Sequence, residues 1–172
     1  MKPEFLKAVQ LRAARLAATA SSTRGQGEGV VESARGFLGS LRLGDFGTPD
    51  ERVFVKRLEL ATSGLREVLP KAARNWGLAR KLLNIFLRDG LYTVYLTTEH
   101  GLNVAEPFFE IPLDSITAKR IRGKVPTVPR WLGVKHLDPG MSAVYQEAAL
   151  GLARQYGVAR VHLDTYWWGA LQ

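Results

Sequence analysis

Residues 75–87 read NWGLARKLLNIFL, within the most apolar region of the chain, KAARNWGLARKLLNIFLRDGLYTVYLTT at 71–98. Apolar side chains recur there at steps of three and four, the period of a helix with one buried face. This pattern predicts a helix over about 77–88 and a second helical stretch after Asp89-Gly90. Two readings of the segment stand side by side. In one, 71–88 is a continuous core helix that buries Ala72, Trp76, Ala79, Leu83, Phe86 and Leu87 and leaves Lys81 in solvent; Gly77 then costs it only about 1 kcal/mol. In the other, Gly77 and Ala79 form a tight turn between helices whose backbone N–H groups face a phosphate, with Lys81 one turn further on.

Outward from this segment the chain keeps reading as helix. Leu6, Val9, Ala13, Leu16 and Ala20 form an amphipathic stripe over 4–20, followed by a glycine-rich linker at Ser21–Gly29. A short helix is expected at 30–43. Thr48-Pro49-Asp50-Glu51 reads as a helix start with Thr48 as N-cap, running to Leu60 or Leu69 with Phe54, Leu58 and Leu65 inward and a possible break at Ser63-Gly64. Asp114 reads as the N-cap of a short helix from Ser115. Residues 122–140 form a long Pro-, Gly- and Arg/Lys-rich connection. Asp138-Pro139 opens a helix at about 141–156 that Gly157 ends. Val158–Leu163 is the best strand candidate, and Asp164 a cap for a last aromatic turn. The expected fold is mainly α: an N-terminal helix and flexible linker at 1–29, then a single compact helical domain at 30–172.

Composition narrows the chemistry. The chain has 172 residues, enough to bury a core without disulfide or metal. It has no cysteine, which excludes thiol nucleophiles, disulfides and cysteine-based metal centres. His100, His136 and His162 lack metal-ligand spacing, so neither metal nor cofactor is expected. His136 with Asp138, and His162 with Asp164, read either as acid–base pairs or as a histidine beside a helix cap. No apolar run approaches the roughly 20 residues that span a bilayer. The Arg-, Ala- and Ser-rich start resembles a transit peptide in composition, but Glu4 and the regular helical face argue against one; a cytoplasmic protein is expected.

The net charge is +8, and arginine outnumbers lysine 16 to 8. Guanidinium pairs bidentately with phosphate, so the bias suits an anionic polymer. Lys119, Arg120, Arg122, Lys124, Arg130 and Lys135 occur within 17 residues with no acid among them. That run is the candidate phosphate-contacting segment. DNA is the expected partner, with RNA as the alternative. Trp131, Trp167 and Trp168 are candidate base-stacking platforms, or core residues.

The segment around Lys81 resembles the hairpin of the helix-hairpin-helix base-excision DNA glycosylases, L-P-G-V-G-x-K-T-A-x-x-x-L. Gly77, Lys81 and Leu87 fall on its glycine, lysine and final leucine; Trp76 stands for the proline, Ala79 for the second glycine and Leu82 for the threonine. Ile111-Pro112-Leu113-Asp114-Ser115 is similar to the family's aspartate element, and His162-Leu163-Asp164-Thr165-Tyr166-Trp167-Trp168 to the ending of some archaeal members. The resemblance covers 70–122 and the C-terminal turn. It implies that Lys81 attacks the sugar anomeric carbon to form a Schiff base, that Asp114 assists departure of the base, and that Gly77, Ala79 and Arg80 meet the DNA backbone. It also implies an extra helix, Leu91–Thr98, between Lys81 and Asp114. Two other functions remain open: a helical DNA- or RNA-binding module without chemistry that uses 119–135, and a structural protein that assembles through its Trp-rich end and N-terminal helix.

Overall fold

The structure is a computed structural model that describes residues 2–169, with side chains through Trp167. Among these residues there are helices and 3-10 turns and no strand. The eight α-helices are α1 Pro3–Ala17, α2 Val30–Ser40, α3 Glu51–Val68, α4 Trp76–Tyr92, α5 Val94–His100, α6 Ser115–Lys124, α7 Pro139–Tyr156 and α8 His162–Gly169. The mainly α expectation holds.

Local chemistry sets most of the boundaries. Asp50, not Thr48, caps α3: its Oδ1 accepts from Arg52 and Val53 N at 2.8 and 3.2 Å. Ser63-Gly64 does not interrupt α3, because Gly64 lies against the Phe37 ring, which a Cβ there would meet at 3.0 Å. Asn75 caps α4 through Leu78 N at 2.9 Å. The helix then runs through Gly90 to Tyr92, so the break expected at Asp89-Gly90 falls at Thr93 instead. A 3-10 turn, Lys71–Ala73, separates α3 from α4, so 71–88 is not one continuous helix. Val158–Leu163 is no strand: His162 N and Leu163 N turn back to the carbonyls of Ala159 and Arg160 at 3.0 and 3.2 Å, and α8 begins at His162.

Two apolar clusters organise the molecule. The first joins α1–α5 through residues such as Ala14, Leu38, Phe54, Leu82, Leu83 and Phe86. The second joins α6, α7 and α8 through Ile121, Tyr145, Ala149, Leu152 and Leu163. The N-terminal segment is part of the first cluster rather than an appendage. Ala13, Ala14, Ala17 and Ala18 are buried, and Gln10 Nε2 donates to the carbonyls of Leu38, Gly39 and Leu41. The flexible linker expected at 21–29 is a series of turns. Thr23 and Gln26 are buried, and Gly25, Gly27 and Gly29 supply positive φ.

Residues 109–114 cross between the clusters, and side chains from α7 and the turn before α8 hold part of their backbone. Gln146 accepts from Ile111 N at 3.1 Å and donates to Ile111 O at 2.9 Å, while Arg160 donates to the carbonyls of Phe108 and Phe109 at 3.1 Å. These bonds fix where Asp114 begins α6.

Candidate active site

A cleft of about 540 Å³ opens where the clusters meet. Its lining includes Lys81 and Arg88 from α4, Asp114 from the start of α6, Asp164 from α8, Trp131, and Gln26 from the turns after α1. Lys81 and Asp114 are thus brought to one cavity from opposite clusters, although the continuous-helix reading left Lys81 in solvent.

The Lys81 Nζ donates to the Ser22 carbonyl at 3.0 Å. Burial pushes its amine below the ordinary lysine value of 10.5, and the carboxylates of Asp114 and Asp164 push back. Burial is the larger effect, because removing an ammonium from water costs more than these two charges return. The result is an amine that sheds its proton more readily than a surface lysine does.

Asp114 caps α6 as expected. Its Oδ1 accepts from Ile116 N and Thr117 N, each at 2.9 Å. Both bonds fall on the same oxygen, which leaves Oδ2 without a hydrogen bond among the described residues.

Asp164 is not a cap. It lies inside α8, 5% exposed, and bonds Arg88 Nη1 through Oδ2, while Thr117 Oγ1 donates to Oδ1 at 3.3 Å. Arg88 also bonds Asp89 Oδ1 from Nε and Nη2 at 3.2 and 3.0 Å. Arg88 belongs to no sequence motif. Its position seven residues after Lys81, two turns along the same helix, was the available signal. Gln26 was missed inside the linker assignment; it is 8% exposed, and its Oε1 is buried without a partner among the described residues.

The residues expected at the DNA backbone divide into two groups. Gly77, Ala79 and Arg80 are buried and offer no surface to a phosphate. A Cβ on Gly77 would lie 2.1 Å from the Val134 carbonyl oxygen, so the glycine answers a close approach of the Val134–His136 turn and forms no open cradle of N–H groups. Arg80 is 3% exposed, ion-paired with Glu59 and, at 3.7 Å, with Glu110, and stacked over Trp76 at 4.7 Å. By contrast Lys119, Arg122, Lys124, Arg130 and Lys135 are exposed and Arg120 is half-buried. Lys124 sits over the Tyr156 ring at 5.8 Å.

Of the tryptophans, Trp131 is half-buried and lines the cleft, whereas Trp167 is 4% exposed within the second cluster and is no open stacking platform. The Trp168 side chain lies outside the described residues. His162 bonds Glu106 at 3.0 Å and the Tyr92 hydroxyl at 2.9 Å, away from Asp164's carboxylate partners. No group of three or more His, Asp or Glu among the described residues is arranged to hold a metal ion.

Compared with family models, curated proteins and solved structures, the chain matches none. No helix among the described residues is long and apolar enough to cross a membrane.

Proposed function

We propose that this chain is a base-excision DNA glycosylase with abasic-site lyase chemistry, Lys81 being the nucleophile. The observation that carries the reading is the meeting of Lys81 and Asp114 in one cleft, with burial depressing the lysine pKa. A nucleophilic lysine must be neutral, and desolvation is one way to make it so. The hairpin contacts implied by the resemblance are not part of the support, since Gly77 and Arg80 are buried.

The chemistry runs as follows. The neutral Lys81 Nζ attacks C1′ of a damaged deoxynucleotide, and the glycosidic C–N bond breaks with its electron pair leaving on the base, which takes up a proton. Asp114 Oδ2 stabilises the developing positive charge on the sugar and accepts the proton that Nζ sheds. The sugar ring opens as O4′ is protonated and leaves C1′, giving a Schiff base between Nζ and C1′. Loss of a C2′ proton then expels the 3′-phosphate, and water returns the lysine. The base must first leave the helical stack, which costs least at a damaged pair. Gln26, Arg88 and Asp164 supply polar groups for the edge of a base in the cleft, and Trp131 a face to stack on.

The test is borohydride trapping on duplexes that carry oxidised, deaminated or abasic sites, with Lys81→Ala beside the wild type. A covalent adduct that the variant loses establishes the chemistry. Exposed Lys119, Arg122, Arg130 and Lys135 favour a second reading, a nucleic-acid-binding module without chemistry. It is the outcome if no adduct forms on any duplex while salt-sensitive binding survives in Lys81→Ala.

A further inference from the structure

A second cavity of about 430 Å³ lies beside the cleft, lined by Ser115, Lys119, Arg122, Gly123, Pro126 and Trp131. Ser115 and Trp131 line both cavities, so these side chains form the partition between them. The two basic groups stand three residues apart on α6, on one face of the helix. No carboxylate lines the cavity, and neither Lys119 nor Arg122 is in an ion pair among the described residues. Arg80 and Arg88 differ in this respect, since each is matched by carboxylates.

The partition is held in place. Trp131 packs edge-on against Tyr145, with centroids 5.5 Å apart at 77°, and the Tyr145 hydroxyl donates to the Pro129 carbonyl at 2.9 Å. Arg122 Nε reaches the Val128 carbonyl at 3.4 Å, which steadies the guanidinium and leaves its terminal nitrogens for another acceptor.

We infer that this second cavity is a subsite for the nucleotide next to the lesion, taking its phosphodiester on Lys119 and Arg122 and its sugar or base against Trp131. The inference rests on the base-excision reading and extends it: the enzyme grips the damaged strand itself, one nucleotide from the break, on the α6 side of Trp131. A cation pair beside a fixed aromatic face suits a single strand, because phosphate and π-face recur in every nucleotide whatever its sequence. The grip also explains what the exposed charges of α6 do that those of Arg130 and Lys135 do not. The α6 pair opens into a cavity that adjoins the lesion cleft, whereas Arg130 and Lys135 line neither of the two.

The test is a scan of abasic-site duplexes in which single phosphates are replaced, one at a time, by neutral methylphosphonates. Binding of the wild type should weaken about tenfold or more when one phosphate next to the abasic site is neutralised, the size expected for a lost charge-assisted contact. In Lys119→Gln/Arg122→Gln that same neutralisation should cost little, and the slope of log affinity against log salt should fall by about one, the value for one phosphate contact. The inference is overturned if no adjacent phosphate matters to the wild type, or if the penalty is as large in the double variant. Borohydride trapping of the wild type on the unmodified duplex reads the lysine chemistry separately. An adduct with no phosphate coupling sinks the subsite alone, whereas no adduct and no binding sinks both readings.

Discussion

The Lys81 Nζ, carried by α4, donates a 3.0 Å hydrogen bond to the backbone carbonyl of Ser22, 59 residues earlier in the chain. Ser22 is itself pinned, its Oγ donating to the Ala17 carbonyl at 2.8 Å. The turns after α1 therefore hold the amine at one end while Asp114 and Asp164 act on it electrostatically from the other cluster. A neutral amine can still donate to Ser22 and point its lone pair into the cleft. Under the proposed chemistry, the contact aims the amine without disarming it.

The pH dependence of adduct formation follows from the direction of the Lys81 shift. Burial lowers its pKa, so the neutral fraction rises with pH about a midpoint below 10.5. Single-turnover trapping should speed up with pH, with its midpoint below that value, and then level off. Asp114→Asn keeps an N-cap for α6 but removes a charge that raises the lysine pKa. The levelling should move to lower pH while the plateau rate falls. An unmoved pH profile in this variant would show that Asp114 does not act on Lys81.

Stability should carry the same signature. The native Lys81 loses its proton at a lower pH than the unfolded chain does, so the unfolded state binds more protons between the two values and stability rises with pH through that window. Lys81→Met removes the buried charge. Its urea midpoint should exceed that of the wild type near neutral pH, and the gap should narrow as pH climbs toward 10.5. A constant gap would mean that Lys81 is not charged and buried in the native state.

The sequence carried the helices and half of the cleft. Period and caps gave α1–α4, α6 and α7, because an apolar stripe and an N-cap are local features. Lys81 stood out through the family resemblance around Gly77, and Asp114 through its cap; the structure places both at one cleft. What was illegible depends on tertiary contact. Gly77 is a glycine because Val134 approaches it from 57 positions away, which no local pattern reveals. The Ser21–Gly29 segment has linker composition, yet it is held by Thr19, Ser22 and Thr23 bonding among themselves and by burial of Gln26. Asp164 looked like a cap because its partner Arg88 lies 76 residues earlier in the chain, beyond α5, α6 and α7.

Deletion of residues 1–29 should unfold the protein rather than trim it. The deletion removes Ala13, Ala14, Ala17 and Ala18 from the first cluster and strips Gln10 from three carbonyls at the end of α2. Gln10→Ala alone leaves those acceptors short of a donor inside the fold, at a cost of about 1–3 kcal/mol. Chemical denaturation of that variant measures the cost. A deleted chain that still melts cooperatively would place the N-terminal helix outside the cooperative unit.

Gly77→Ala tests whether the glycine is there for packing. The new Cβ would fall 2.1 Å from Val134 O and 2.6 Å from Leu137 Cβ, so either the 134–137 turn or the start of α4 must shift. Overpacking of this kind costs about 1–3 kcal/mol. Because Val134 also lines the cleft, trapping should slow as well. An alanine variant with wild-type stability would mean that the turn does not approach α4 so closely.

The Arg88–Asp164 pair joins α4 to α8 across the cleft, and its two halves should not behave independently. Asp164 is 5% exposed, so Asp164→Leu takes from Arg88 one of its two carboxylate partners, and Arg88→Met takes from Asp164 the guanidinium that bonds its Oδ2. Each single variant leaves one desolvated charge without its opposite across α4 and α8, which costs about 1–3 kcal/mol. The double variant strands neither and replaces the pair with apolar bulk. Its loss in denaturation should therefore be smaller than the sum of the single losses, by about 1 kcal/mol or more. Strict additivity would show that the two side chains do not meet. Even where stability is recovered, adduct formation should stay impaired in the double variant, because the cleft has lost Arg88 and one of the two carboxylates that hold the Lys81 pKa up.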